Sequence, residues 1–87
     1  MREWRVYILR CRTGELYTGS TNDIDRRVGQ HNAGRASKFT RSRRPVLLVY
    51  QEACVSRSAA LRREVQIKGM DRGEKLALVQ SASATTA

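Results

Sequence analysis

The sequence predicts an α+β fold in which a small three-stranded antiparallel sheet is flanked by about three helices. Two observations support this prediction. Apolar residues alternate along short stretches of the chain, as in strands, and recur every three or four residues in other stretches, as in helices. With 87 residues, the chain is long enough for one compact domain with a modest core. We expect that domain to cover residues 4–80.

A β-hairpin is predicted at the start of the chain. Residues 4–10 alternate between two faces, which is typical of a strand. The pair Thr13-Gly14 then favours a turn, and residues 16–18 supply a second short strand. Each of the two strands carries a tyrosine, Tyr7 in the first and Tyr17 in the second.

The first helix is expected from Asp23 to Asn32, with its end near Gly34. The capping side chains of Ser20, Thr21 and Asn22 precede it, and acidic residues fall in its first turn, where the helix dipole favours negative charge. Arg27 and His31 are one turn apart and therefore point the same way, beside the apolar stripe of the helix.

Three further elements follow. Residues 35–45 are polar and basic and predict an exposed loop, and the apolar run after them predicts a third strand over residues 46–53. A second helix is expected over residues 56–70, with Glu64 on its inner edge.

The C-terminal part is expected to form a short helix and a tail. Asp71 and Glu74 have the spacing of a capping box and predict a third helix that continues through Val79. Residues 81–87 are small and polar, which predicts a disordered tail.

Positive charge is concentrated in the middle of the chain. The formal net charge is +9, from 17 Lys and Arg against 8 Asp and Glu, and residues 26–51 include seven basic residues and no acidic one. Such a block suits a polyanion, either nucleic acid or an anionic membrane surface.

The sequence offers no candidate for a membrane span, a secretory signal or a disulfide framework. No stretch approaches the roughly 18 apolar residues of a transmembrane helix, and the N-terminal residues lack the pattern of a signal peptide. Cys11 and Cys54 match neither a redox motif nor a zinc site. We therefore expect a soluble, cytoplasmic protein with two free thiols.

Five residues are candidates for chemistry, although each alone has an ordinary structural explanation. Strand tyrosines usually pack, helical Arg and His residues usually face solvent, and a helical Glu often pairs with a Lys one turn away. Their joint spacing is more informative than any one of them. The candidates are Tyr7, Tyr17, Arg27, His31 and Glu64.

The motifs around these residues resemble those of the GIY-YIG nuclease family. Val6-Tyr7-Ile8-Leu9 corresponds to the first motif and Tyr17-Thr18-Gly19 to the second, and the second tyrosine lies ten positions after the first. Arg27 follows ten residues after Tyr17, His31 four residues later, and residues 60–68 are similar to the segment that carries the family's metal-binding Glu. The resemblance extends from Trp4 to about Val79. Within the family, the chain looks like the small stand-alone bacterial predicted endonucleases, which are similar in outline to the Slx-type nucleases and the incision domain of UvrC.

The resemblance implies a metal-dependent endonuclease that hydrolyses phosphodiester bonds of DNA. Cleavage is expected to be structure-dependent or weakly sequence-specific, and a role in DNA repair or recombination is favoured. Glu64 would hold one Mg²⁺ or Mn²⁺ ion, and Arg27 would stabilise negative charge on the phosphate. Either Tyr7 or His31 would accept the proton of the attacking water, and Tyr17 would orient the phosphate or the water.

Basic side chains outside these motifs are predicted to contact nucleic acid. They would track the flanking backbone and add affinity that is sensitive to salt and blind to sequence. Phe39, within the basic stretch of residues 35–45, would stack on an exposed base or pack on its own domain. DNA is the expected partner, RNA stays open, and a protein partner would supply targeting. The predicted contacts are Lys38, Arg41, Arg43, Arg44 and Lys68.

The sequence departs from the family's pattern in ways that leave other functions open. The first departure is at Val6, Leu9 and Thr18, which differ from the residues that give the motifs their letters, while both tyrosines are present. The second is an Asn that some members carry after the metal-binding Glu, which has no counterpart near residues 75–77. One alternative is a nucleic-acid-binding module with weak or no nuclease activity, and another is a basic RNA- or ribosome-associated protein. The five candidate residues argue against both, because binding alone has no use for a carboxylate at the edge of a buried face.

Overall fold

A computed structural model describes the backbone of residues 3–85 and the side chains of residues 3–82. It confirms the α+β class and the three-stranded antiparallel sheet. The elements, in chain order, are β1 (Trp4–Cys11), β2 (Leu16–Thr21), α1 (Ile24–Asn32), α2 (Lys38–Arg41), β3 (Val46–Cys54), α3 (Arg57–Lys68) and α4 (Arg72–Thr85).

Strand β1 lies in the centre of the sheet, whose strand order is β2-β1-β3. Both neighbours run antiparallel to it, so β2 is an edge strand that meets β1 on one side only. Tyr7 of β1 is paired with Gly19 of β2, and Val6 with Ser20. Because paired residues point to the same face, Tyr7 and Ser20 extend from opposite faces of the sheet.

The core lies on both faces of the sheet, which explains why β1 is buried along most of its length. On one face, Val6 and Ile8 pack with Ala60 and Ile67 of helix α3. On the other face, residues that include Tyr7, Leu9 and Val46 pack against apolar side chains of helix α1. The sheet is therefore a layer between α1 and α3, and side chains of either helix can reach the edges of the sheet.

One segment is more ordered than its composition predicts. The exposed loop expected over residues 35–45 contains helix α2, which begins after Ser37, whose side chain accepts a hydrogen bond from the Thr40 backbone N–H. Thr40 is completely buried. The loop prediction was wrong for residues 38–41 because a capping serine and a buried threonine outweigh the polar composition around them.

Helix α4 extends beyond the expected limit of the domain. It continues to Thr85, so residues 81–85 are helical where a disordered tail was predicted, and residues 86–87 lie outside the described part of the chain. The segment contains neither Gly nor Pro after Gly73, and alanine is the best helix former, so nothing in its sequence ends the helix at residue 80.

The sequence predicts neither a disulfide framework nor a membrane span. Cys11 is buried and Cys54 is half-buried, and both are free thiols. Within residues 3–85, none of the helices combines the length and the apolar character that crossing a membrane requires.

Asn32 fixes the end of α1 to the start of β3. Its Oδ1 accepts a hydrogen bond from the Val46 backbone N–H at 2.7 Å, and its Nδ2 donates to the Val46 carbonyl at 3.1 Å. One side chain thus satisfies both backbone groups of the first residue of an edge strand, which holds the helix against the sheet.

We predict that Asn32→Ala lowers the free energy of unfolding by about 1–3 kcal/mol, because it leaves two partly buried backbone groups without partners. Urea denaturation monitored by circular dichroism measures the change. Gln66→Ala is the control, since Gln66 only accepts an exposed hydrogen bond from Arg63 and should shift stability by less than about 0.5 kcal/mol. Equal effects of the two substitutions would contradict the bridging role of Asn32.

Candidate active site

The position of Tyr7 depends on the absence of a side chain on the neighbouring strand. The Tyr7 ring lies over Gly19, and a Cβ built on Gly19 would lie 2.6 Å from the Tyr7 Cζ and would also clash with the phenol oxygen. Any larger residue would displace the ring. Gly19 therefore lets a buried aromatic ring bring its hydroxyl to the edge of the sheet.

A buried chain of hydrogen bonds continues from the Tyr7 hydroxyl. Tyr7 Oη lies 2.9 Å from His31 Nε2, and His31 Nδ1 lies 2.8 Å from Thr40 Oγ1. Arg27 Nε donates to Tyr7 Oη at 3.4 Å. Because Arg can only donate, the Tyr7 hydroxyl is free to donate its own hydrogen to His31 Nε2, and His31 Nδ1 then carries the hydrogen that Thr40 accepts.

Burial keeps both members of the Tyr7–His31 pair uncharged. It raises the pKa of the Tyr7 phenol above its usual value of 10.0, against the smaller opposing effect of Arg27. Burial and the nearby Arg27 charge lower the pKa of His31 from 6.5 to about 4. At neutral pH the phenol is therefore protonated and the imidazole is neutral, so the imidazole can accept a hydrogen bond or a proton from the phenol.

Glu64 reaches the same edge from the opposite face of the sheet. Its Oε1 accepts a hydrogen bond from Ser20 Oγ at 2.7 Å, and its Oε2 lies 2.6 Å from the ammonium of Lys68. Ser20 directly follows Gly19 on the edge strand. The Glu64 charge is also among the causes that raise the Tyr7 pKa, so the carboxylate lies within electrostatic range of the phenol.

These side chains form a cluster around one end of β2, which we call the edge-strand cluster. The helices on the two sides of the sheet contribute to it, α1 with Arg27 and His31 and α3 with Glu64. Strands β1 and β2 contribute the remaining members. Its members are Tyr7, Ser20, Arg27, His31 and Glu64.

Tyr17 lies beside this cluster in an aromatic row. Its ring centroid is 5.1 Å from that of His31 in an edge-on arrangement, and 6.0 Å from that of Phe39 in a stacked one. The guanidinium of Arg43 lies 3.9 Å from the centroid of the Phe39 ring. Phe39 thus packs on its own domain, which is the second of the two roles expected for it.

The residues of the cluster fit a single divalent cation held mainly by water. Among the described residues, no group of three or more His, Cys, Asp or Glu side chains could hold a metal ion. An ion at this edge would therefore have few protein ligands, and Glu64 is the carboxylate of the cluster. Its Oε2 already carries a cation, the Lys68 ammonium, whose side chain is about half exposed. Hard cations accept one carboxylate with water completing the shell, and an exposed lysine can move aside.

Four of the five predicted nucleic-acid contacts fall into two groups. Arg43 donates to Glu15 and to the Phe39 carbonyl, and Arg44 donates to the Arg41 and Asn32 carbonyls. Both guanidinium groups therefore hold the α2 segment in place.

The side chains of Lys38 and Arg41, by contrast, make no hydrogen bond or ion pair within the described part of the chain. Both line an open groove of about 260 Å³. Lys68 stands apart from both groups, because its ammonium is paired with Glu64 of the edge-strand cluster.

Sequence reasoning missed three positions that build the cluster. It interpreted Ser20 as helix capping, whereas Asp23 caps α1 and Ser20 contacts Glu64, which is 44 residues away. No local signal marks such a contact. Thr40 lay in the expected loop. The sequence signal that could have identified its position is Ser37, a residue that can cap a helix. Gly19 was assigned only as part of a motif, although its pairing with a strand tyrosine indicates a close approach.

Comparison with known proteins finds one family and closely similar relatives. Residues 3–76 match the model of the GIY-YIG catalytic domain family. A UPF0213 protein of Staphylococcus haemolyticus is 46% identical over 80 residues, which cover 92% of this chain and 98% of the relative. A UPF0213 protein of Staphylococcus epidermidis is 49% identical over 75 residues, or 86% of this chain and 92% of the relative.

Two solution NMR structures are similar to this one. The UPF0213 protein of Bacillus halodurans is 42% identical, with a TM-score of 0.57 over 92% of this chain and 84% of that chain. A protein from E. faecalis is 31% identical, with a TM-score of 0.65 over 97% of this chain and 90% of that one.

We predict that His31 stays neutral in the folded protein until the pH falls well below 6. In the unfolded chain the imidazole titrates near 6.5, so between that value and about 4 the unfolded state binds more protons. The free energy of unfolding therefore decreases as the pH falls through this window. Because His31 is the only histidine, its NMR signals report the titration without ambiguity.

His31→Gln is the matched comparison for stability. Carboxylates titrate in the same pH range, but they do so in both proteins, so the difference between the two pH profiles isolates the imidazole. The decrease in stability between pH 6.5 and 4 should be smaller in His31→Gln. An imidazole midpoint near 6.5 in the folded protein would show that His31 is not shielded.

Proposed function

The chain belongs to the GIY-YIG family, and we propose that it is a divalent-metal-dependent endonuclease that hydrolyses phosphodiester bonds of DNA. The family is one of nuclease-type hydrolases that are generally dependent on divalent metal. The observation that carries the proposal for this chain is the edge-strand cluster, in which a phenol, a guanidinium and a carboxylate from three separate elements lie at the same edge of the sheet. Phosphodiester hydrolysis needs an activated water and stabilisation of negative charge in the transition state, and groups of these kinds can supply both.

Glu64 is the proposed ligand of one Mg²⁺ or Mn²⁺ ion, with Lys68 giving up its place on the carboxylate. When bound, the ion would neutralise charge on the scissile phosphate and support the departing oxygen. Ser20 would hold the other carboxylate oxygen through the 2.7 Å hydrogen bond, so that Glu64 keeps its orientation while its cation changes.

Arg27 is the proposed partner of the phosphate. Its Nε contacts Tyr7 and its Nη1 donates to Gln30 at 3.1 Å, which fixes the guanidinium plane at the edge of the sheet. Its Nη2 makes no hydrogen bond to the described residues and would point a permanent charge at a phosphate oxygen. Lysine offers no such planar fork and would be a poor substitute.

Tyr7 and His31 would act as one unit for proton transfer. His31 is completely buried, so water would reach it only through Tyr7. The water proton would pass to the Tyr7 oxygen while the Tyr7 proton passes to His31 Nε2, which leaves a neutral phenol and an imidazolium. The negative phosphate would favour that imidazolium, since a nearby opposite charge raises the pKa of histidine.

We predict that Glu64→Gln and Tyr7→Phe each lower the cleavage rate by at least about 100-fold, while Arg27→Lys lowers it by about 10- to 1,000-fold. The assay uses single-stranded, duplex, flapped and branched DNA and single-stranded RNA, with Mg²⁺, with Mn²⁺ and with chelator. All three substitutions remove groups that would act on the transition state, so binding measured in chelator should change by less than the rate.

Glu52→Gln is the control for the loss of a partly buried carboxylate. Glu52 pairs with Arg63, outside the edge-strand cluster, and its substitution should leave the rate within about threefold once the protein is shown to be folded. Binding of nucleic acid with no metal-dependent cutting of any substrate would replace the enzyme proposal by that of a binding module.

We predict that replacing Lys38 and Arg41 by alanine reduces the slope of log affinity against log salt by about 1.4–1.8, since each phosphate contact contributes about 0.7–0.9. Fluorescence anisotropy at several salt concentrations measures the slope. The control, Arg62→Ala with Lys75→Ala, removes the same charge from α3 and α4. Equal slopes for the two double variants would show that the nucleic acid does not follow the α2 surface.

A further inference from the structure

A groove of about 230 Å³ opens beside the edge-strand cluster. Two of its walls are Ser20 and Arg27, which contact Glu64 and Tyr7 respectively. The other walls come from the start of β1, the turn after β2 and the outer side of α1. Those used below are Trp4, Asn22, Arg26 and Gln30.

The groove is lined by a tryptophan, whose ring centroid lies 5.7 Å from the Arg57 guanidinium carbon, and by two residues with amide side chains. Trp4 is the only tryptophan of the chain; it is half-buried, packs partly against the core on the α3 face and also lines the groove. Gln30 uses its Oε1 to accept from Arg27, which leaves its amide hydrogens available. The exposed side chain of Asn22 makes no hydrogen bond to the described residues.

The charged residues that line the groove are one aspartate, Asp23, and two arginines, Arg26 and Arg27. The guanidinium of Arg26 is exposed and makes no ion pair or hydrogen bond with the described part of the chain, and Arg27 keeps Nη2 available. A surface that bound only the phosphate backbone would need these cations and no more. An aromatic wall and amide side chains add the chemistry that packs against a base and reads its polar edge.

On the basis of the nuclease function proposed above, we propose that this groove holds the base of an unpaired nucleotide next to the scissile phosphate. The substrate class is then nucleic acid that is single-stranded at the cut. A base within a duplex is stacked and paired, and its entry would cost the energy of unpairing. The shared walls, Ser20 and Arg27, keep the seated base adjacent to the groups that act on the backbone.

The single tryptophan allows a direct test with the intact protein. In chelator, so that no cleavage occurs, the protein is titrated with a labelled single-stranded 12-mer, with a 12-mer of the same backbone that lacks all bases, and with a blunt duplex. Anisotropy reports binding and tryptophan emission reports contact with Trp4. We expect the base-containing single strand to quench the emission, and the abasic strand and the duplex to bind without comparable quenching.

Two substitutions separate contact with a base from packing in the core. Trp4→Leu should weaken binding of the base-containing strand by about tenfold and that of the abasic strand by less than twofold. Trp4→Phe keeps an aromatic ring and should restore most of the loss. Asn22→Ala should reduce the preference for the base-containing strand while circular dichroism shows an unchanged fold.

Three results would overturn the inference. They are binding of the single strand without quenching, equal quenching by the abasic strand, and the absence of binding by every strand at low salt. Failure of the nuclease function looks different, because it is the absence of metal-dependent cleavage, and the fluorescence titration contains no metal.

Discussion

The close approach of Tyr7 to Gly19 is the contact on which the candidate site depends. A central strand is normally covered on both faces, and its side chains do not reach solvent. Tyr7 is likewise buried, and the missing side chain on the edge strand leaves room for its phenol to lie over Gly19. The hydroxyl then lies where a helix from each face can contribute a charged group. A larger residue at this position of β2 would displace the Tyr7 ring, and the hydroxyl would then leave its present position near Arg27 and Glu64.

Burial gives the site its electrostatic character. His31 and Thr40 are fully enclosed, and their hydrogen bonds hold the imidazole in one orientation without ionising it. A neutral imidazole bonded to a protonated phenol is a pair whose proton can move when an external charge arrives. The short helix α2 matters for this reason, since it supplies Thr40 and thereby closes the site on its inner side.

The basic residues divide according to where their side chains find partners. Arg43 and Arg44 bond to carbonyl and carboxylate oxygens around α2, so part of the positive block that looks like a binding surface is structural. Lys38 and Arg41 line one groove and Arg26 lines another, and the described part of the chain offers these three side chains no partner. The charges available to a polyanion are therefore fewer than the sequence suggests.

The sequence by itself determined the elements other than helix α2, and the order of the candidate residues. Alternation predicted the strands, capping and helical spacing predicted α1 and α3, and the spacing of Tyr7, Tyr17, Arg27, His31 and Glu64 identified the family, because these signals are local or follow a fixed register. Only the tertiary structure decided which side chains meet.

The contact between Ser20 and Glu64, the pairing of Arg43 with Glu15 and the groove beside Trp4 all join segments that are distant in the chain. No sequence spacing encodes them, since they arise from the packing of α1 and α3 on opposite faces of one small sheet.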